Sequence, residues 1–129
     1  MAHKVLIIDD EEGLRLVLML RLEKMGYEVF QAADGLEGLE IAKKENPDIV
    51  VLDIKMPVMN GYETWRRFRA EDRLKKIPIL ILTCERQSND RFWGASMAAS
   101  DFITKPYDES QLVKRIEEMI RESKKKLKK

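Results

Sequence analysis

The chain has 129 residues, 44% of them hydrophobic and 36% charged, with a formal net charge of +1. That length supplies one continuous core and not two, the apolar content excludes a disordered chain, and the near-balanced charge provides no global field for nucleic acid or a membrane. The one concentrated charge is the C-terminal run Lys124-Lys125-Lys126-Leu127-Lys128-Lys129. A single cysteine, Cys84, excludes an internal disulfide framework and fits a reducing compartment. The apolar run after Met1-Ala2-His3-Lys4 is too short for a signal peptide or a membrane span, so a soluble cytoplasmic protein is expected.

Short apolar runs alternate with helical patterns along the chain. Val5 to Ile8 reads as a first strand. A helix follows from about Glu11 to Met25, with Leu14, Val17, Leu18, Leu22 and Met25 expected on its inward face. Gly26 is a fitting terminator for it. Tyr27 to Ala32 reads as a second strand. Asp34 with Glu37 caps a second helix, which ends near Asn46-Pro47 because the residue before proline is pushed out of helical geometry. Ile49 to Leu52 is a third strand, apolar on both faces, and Gly61 to about Ala70 a third helix. Ile79 to Leu82 is a fourth strand, Asn89 to about Ala99 a fourth helix, and Phe102 to Thr104 a short fifth strand. Asp108 with Gln111 caps a final helix carrying Leu112, Val113, Ile116, Met119 and Ile120.

Strands buried on both faces and alternating with helices imply a parallel sheet covered on each side. An α/β, doubly wound, five-stranded open sheet with five helices on two faces is the economical solution. The expected domain spans residues 1–122, with 123–129 as a basic tail, a solvated helix end or linker. The tail holds five lysines and no interleaved aromatic, which argues against a nucleic-acid contact.

In such a sheet, ligands bind outside the carboxyl ends of the strands. The first strand runs into Asp9-Asp10, the third into Asp53, the fourth into Thr83 and the fifth into Lys105. Three carboxylates, a hydroxyl and an ammonium group therefore converge on one edge. Clustered carboxylates need a cation or a proton, and oxygen ligands without His or Cys favour Mg²⁺ over zinc. A metal and a lysine around a free carboxylate suit phosphoryl transfer, which is mostly positioning and charge neutralisation. A single Asp at a strand end is commonly a helix cap, but only one of an adjacent pair can cap.

With Val5-Leu6-Ile7-Ile8-Asp9-Asp10-Glu11, then Asp53-Ile54-Lys55-Met56-Pro57-Val58-Met59-Asn60-Gly61, then Asp101-Phe102-Ile103-Thr104-Lys105-Pro106-Tyr107, the sequence resembles the response-regulator receiver family of two-component signalling from about Lys4 to Ile120. The resemblance implies a flavodoxin-like sheet of order 2-1-3-4-5. It implies Asp53 as phosphoryl acceptor and Mg²⁺, with Mn²⁺ as a substitute, held by Asp9, Asp10, Asp53 and the backbone carbonyl of Lys55. Lys105 pairs with a phosphoryl oxygen, and Thr83 moves to hydrogen-bond another. Phe102 is the switch aromatic, and the Lys105-Pro106 bond is cis. The implied donor is a histidine kinase or histidine phosphotransfer protein, meeting the first helix, where Leu16, Met19 and Leu20 exceed the needs of a core face. An unnamed downstream protein meets the surface of the fourth helix, fifth strand and fifth helix, where Trp93 and Met97 stand four apart. Lys55 and Glu85, each two residues beyond a site residue, are placed to tune the lifetime of the phosphoryl group. Ala98-Ala99-Ser100 departs from the Gly, Ala, Asp often found in the family and touches the end of the fourth helix, not the site.

Other readings fare worse. A phosphatase or phosphotransferase of the haloacid-dehalogenase type wants a second Asp two residues after the nucleophile, and Lys55 stands there. A pseudo-receiver, acting as a binding module, would lack the acceptor, the acidic pair or the lysine, and all are present. A dinucleotide site needs a Gly-rich loop after the first strand, and Asp9-Asp10-Glu11-Glu12 stands there instead.

Overall fold

Runs of Val, Ile and Leu uninterrupted by charge can only be satisfied where both faces of a strand are covered, and that requirement organises the whole molecule. The computed structural model describes residues 3–53, 61–83, 101–104 and 108–127. In chain order these form β1 (Lys4–Ile8), α1 (Glu12–Lys24), β2 (Glu28–Ala32), α2 (Gly35–Glu45), β3 (Ile49–Asp53), α3 (Gly61–Ala70), β4 (Ile79–Thr83), β5 (Asp101–Thr104) and α4 (Glu109–Leu127). The helix α4 is the final helix of the sequence pattern; the helix expected over Asn89 to Ala99 lies outside the described residues. The five strands are all parallel, in the order β2-β1-β3-β4-β5. The expected doubly wound sheet is therefore observed.

The period of two along each strand divides the core into two layers. Val5, Ile7, Ile49, Val51, Leu80 and Leu82 pack with Leu18 and Leu22 of α1 and with Leu112, Ile116 and Ile120 of α4. Leu6, Ile8, Val50, Leu52, Ile79 and Ile81 pack with Leu39 and Ala42 of α2 and Phe68 of α3. Each such side chain, fully removed from water, contributes about 1.5–3 kcal/mol before entropy is charged against it. β2, at one edge, is less completely covered than β1 and β3.

Helix ends follow local chemistry. The Asp34 carboxylate accepts from the Glu37 amide at 2.9 Å, while the Glu37 carboxylate reaches back to accept from the Ala33 amide at 2.7 Å. Asn46, before Pro47, takes the left-handed conformation with φ 53° and stops α2. Gly26, with φ 97°, stops α1: its amide donates to the Glu23 carbonyl at 3.0 Å and the Tyr27 amide to that of Leu22 at 3.2 Å, a Schellman ending. The Asp108 carboxylate caps α4 through the Ser110 amide at 2.9 Å. The side chain of Arg69, whose pKa is lowered by burial, donates to the carbonyls of Lys75 and Ile77 at 2.8 and 2.9 Å and closes the turn that feeds β4.

One expectation is corrected. Of the five residues assigned to the inward face of α1, only Leu18 and Leu22 are buried, whereas Leu14, Val17 and Met25 are 37%, 52% and 43% exposed. The inward line runs through Arg15, Leu18, Met19 and Leu22, spaced i, i+3, i+4, i+7. The helix is apolar on nearly every side, so periodicity alone does not say which side faces the sheet.

Candidate functional site

The register of the sheet brings the acidic residues together. Ile8 pairs with Leu52, so Asp9, the next residue on, stands level with Asp53 at the end of the adjacent strand. Asp9 is two residues beyond Ile7 and Asp53 two beyond Val51, so the alternation assigns both to the same side of the sheet. Both are buried, 3% and 5% exposed, whereas Asp10 is exposed. Ligand oxygens of Asp9, Asp10 and Asp53 all lie within 4.8 Å of one another. At that separation two carboxylates repel by about 3–4 kcal/mol at an effective dielectric of about 20. Carboxylates this close repel one another, and a divalent cation among the oxygens would relieve that repulsion.

The turn after β1 is tied at several points. The Asp9 amide donates to the Ala32 carbonyl at 3.1 Å. The Asp9 Oδ1 accepts from the Glu11 amide at 3.0 Å and so satisfies an amide at the start of α1, whose N-cap, Glu11, makes no side-chain cap. Arg15, one turn into α1, reaches back: its Nη1 donates to the Asp9 carbonyl at 2.6 Å and its Nε to Gln31 Oε1 at 3.2 Å. Gln31 Nε2 in turn donates to Met19 Sδ at 3.0 Å. The sequence reading missed Arg15 and Gln31. An arginine in a helix reads as solvent-facing, and with the inward line of α1 not legible from periodicity no sequence signal singled it out.

Of the other expected site residues, Thr83 is the last residue of β4, one step beyond Leu82, the register partner of Asp53. It pairs with Thr104, and Lys105 is next in the chain. The backbone of Phe102 sits in β5 opposite Ile81. Lys55, Glu85, Trp93, Met97, Lys105 and Pro106 lie outside the described residues. Leu16 and Leu20 on α1 are 41% and 57% exposed, but Met19 is half-buried, turned to Gln31 and the core. Beside Leu20, α1 and α4 enclose a groove of about 850 Å³ lined by Val17, Leu20, Met25 and Val113, with Lys24 and Lys114 on it. Its helices are tied by Arg21, which donates to the Glu109 carboxylate at 2.7 Å and to Ser110 Oγ at 3.1 Å.

The donor set fits a hard divalent cation: three carboxylates, two of them buried, without His or Cys in the group. A buried strand-end carboxylate beside such a set, on the carboxyl edge of a parallel sheet, is chemically suited to Mg²⁺-dependent phosphoryl transfer. The profile of the response regulator receiver domain matches residues 5–117, and the chain belongs to that family of two-component signalling domains, which are not classical enzymes. It is 38% identical to Protein PilH of Pseudomonas aeruginosa over 88% of this chain and 93% of that one. The chemotaxis response regulator CheY4 of Vibrio cholerae has a structure similar to this one at a TM-score of 0.83, with 34% identity over 92% of this chain and 99% of that one. The receiver domain of the sensor histidine kinase PA1611 from Pseudomonas aeruginosa, also at 0.83, is 26% identical over 93% of this chain and 98% of that one; it has a magnesium ion coordinated in its active-site cleft. The chain spans about half the length of most of the curated relatives it matches, which are named as transcriptional regulators. Receiver domains are phosphorylated by histidine kinases. No helix among the described residues is long and apolar enough to cross a membrane.

Proposed function

We propose that the chain accepts a phosphoryl group on Asp53 from a histidine kinase or histidine phosphotransfer protein in a Mg²⁺-dependent reaction. The observation that carries this reading is the buried Asp53 carboxylate, level with Asp9 on the adjoining strand and sharing a cluster of oxygens with Asp9 and Asp10. A carboxylate oxygen of Asp53 attacks phosphorus; the bond from phosphorus to the donor's imidazole nitrogen breaks, its electron pair stays on that nitrogen, and an acyl phosphate forms. Asp9, Asp10, Asp53 and the Lys55 carbonyl would hold Mg²⁺, which when bound neutralises the carboxylates and the oxygens of the transferring group. Lys105 is assigned to one phosphoryl oxygen and Thr83 to another. Recruitment of Thr83, followed by the ring of Phe102, is the proposed step that switches the surface shared by β5, α4 and the segment before β5, and so signals to a downstream protein. Lys55 and Glu85, by their spacing from Asp53 and Thr83, are placed to control the approach of water to the acyl phosphate. The exposed apolar residues Leu16, Val17 and Leu20 on α1, beside the groove shared with α4, are the proposed docking face for the donor.

The test is incubation with a small phosphodonor such as acetyl phosphate, with and without Mg²⁺. Wild type should gain one phosphoryl group by intact mass only when Mg²⁺ is present, and Asp53→Asn should gain none. Undiminished, acid-labile phosphate in Asp53→Asn would overturn the assignment.

A further inference from the structure

Arg15 is a charged residue on the inward line of a helix, and its two bonds go to the residue that follows β1 and to a residue within β2. Its Nη1 holds the Asp9 carbonyl at 2.6 Å, and its Nε is anchored by Gln31 Oε1 at 3.2 Å. Gln31 stands in β2 opposite Ile7, and its amide nitrogen is occupied by Met19 Sδ. The guanidinium is thus held at both ends, between the start of α1 and the neighbouring strand.

The Asp9 carbonyl belongs to the peptide unit that joins Asp9 to Asp10. That unit is planar, so fixing its oxygen fixes the plane from which the Asp10 backbone departs. Asp9 itself is restrained from the other side by its carboxylate on the Glu11 amide and its amide on the Ala32 carbonyl. Asp10 is exposed, and among the described residues no hydrogen bond restrains its carboxylate. Its direction is therefore set through its backbone, and Arg15 is the side chain that holds the peptide before it.

We infer that Arg15, anchored by Gln31, is a positioning residue for the divalent-cation site: it aims Asp10 at the cation by holding the Asp9–Asp10 peptide. This rests on the reading above that Asp9 and Asp10 hold Mg²⁺. Groups that orient metal ligands from behind characteristically affect metal affinity by about 10–100-fold. The inference also separates geometry from charge. If Arg15 acted only as a positive charge near the carboxylates, removing it would tighten Mg²⁺ binding, since like charges repel. If it acts by position, removing it weakens binding.

The experiment is a calorimetric titration of MgCl₂ into the full chain as wild type, Arg15→Ala, Arg15→Lys, Gln31→Leu and Asp10→Ala, each first checked for folding by urea denaturation. Arg15→Ala should bind Mg²⁺ about tenfold more weakly. Arg15→Lys, which can still donate to the Asp9 carbonyl but not to Gln31 as well, should recover most of that loss. Gln31→Leu, which frees the anchor only, should lie between wild type and Arg15→Ala, and decides the matter if Arg15→Ala does not fold. The amide resonances of Asp10 and Glu11 should shift in the metal-free Arg15→Ala protein. Unchanged or tighter Mg²⁺ binding in Arg15→Ala and Gln31→Leu, with binding lost in Asp10→Ala, overturns the positioning role alone. Binding in Asp10→Ala equal to wild type overturns the metal reading, and the positioning role with it.

Discussion

Asp9 and Asp10 are neighbours in the chain with opposite structural standing. Asp9 is buried and accepts from the Glu11 amide, so its carboxylate helps to start α1 as well as facing the cluster. Asp10 is exposed and contributes its charge to the same cluster, where it adds repulsion towards two buried carboxylates. Asp10→Ala should therefore affect metal and stability in opposite directions. Without divalent cation, the variant should be more stable to urea than wild type by about 1 kcal/mol, a value discounted for the solvent around Asp10. With Mg²⁺ in excess, wild type should gain stability through ligand linkage and the variant little. Paired urea melts with and without Mg²⁺ check this; a variant less stable than wild type in the metal-free protein would show that Asp10 is not held against its own electrostatics. A functional site that costs stability is the usual place for such a trade.

At the scale of elements, the site depends on how closely α2 can approach β1. A Cβ placed on Gly38 would lie 2.3 Å from Ile8 Cδ1 and 2.8 Å from Ile8 Cγ1, and Ile8 directly precedes Asp9. Overpacking of this kind costs about 1–3 kcal/mol, and removing a helix-interior glycine returns about 0.5–1 kcal/mol. Gly38→Ala should thus be destabilised by about 1 kcal/mol net in a urea melt. A stability equal to or above wild type would mean Ile8 turns aside freely. No sequence pattern announced this contact, because it depends on the distance between two elements. Much else was legible. The strands could be read from β-branched runs, the end of α1 from Gly26, and the limits of α2 from Asp34, Glu37 and Pro47, since each is a local chemical requirement. Asp9, Asp10 and Asp53 could be brought together by asking which residue follows each strand. The inward face of α1 could not be read, because Leu14, Leu16, Val17, Leu18, Met19, Leu20 and Leu22 leave no polar side to contrast with an apolar one. For the same reason Met19, expected on the docking face with Leu16 and Leu20, is half-buried, and Arg15 was passed over.

Across the whole molecule, the two edges of the sheet have different work. The acidic cluster stands at the carboxyl edge, where β1 and β3 end. The opposite edge is marked by Asn46, Pro47 and Asp48 before β3 and by Ile77 and Pro78 before β4, and these line a shallow hollow together with Ile120 and Ser123 of α4. Helix α4 therefore starts near the site edge and runs to the far one. It continues to Leu127, so the boundary proposed after residue 122 falls within a helix and not at a break in it. The five-residue strands separate the two edges by about 16 Å at about 3.3 Å per residue, and the helix carries on beyond the far edge. Positive charge in the last turn favours the helix terminus by only about 0.3–1 kcal/mol and is screened by salt. Deleting Lys124 to Lys129 should then leave phosphoryl acceptance and Mg²⁺ affinity at wild-type values, with a stability loss of no more than about 1 kcal/mol. Intact mass after incubation with acetyl phosphate and Mg²⁺ measures the first, and calorimetry the second. A truncated chain that folds but no longer takes up phosphate would show that the tail acts on the site across the full width of the sheet, and would move the end of the working domain to Lys129.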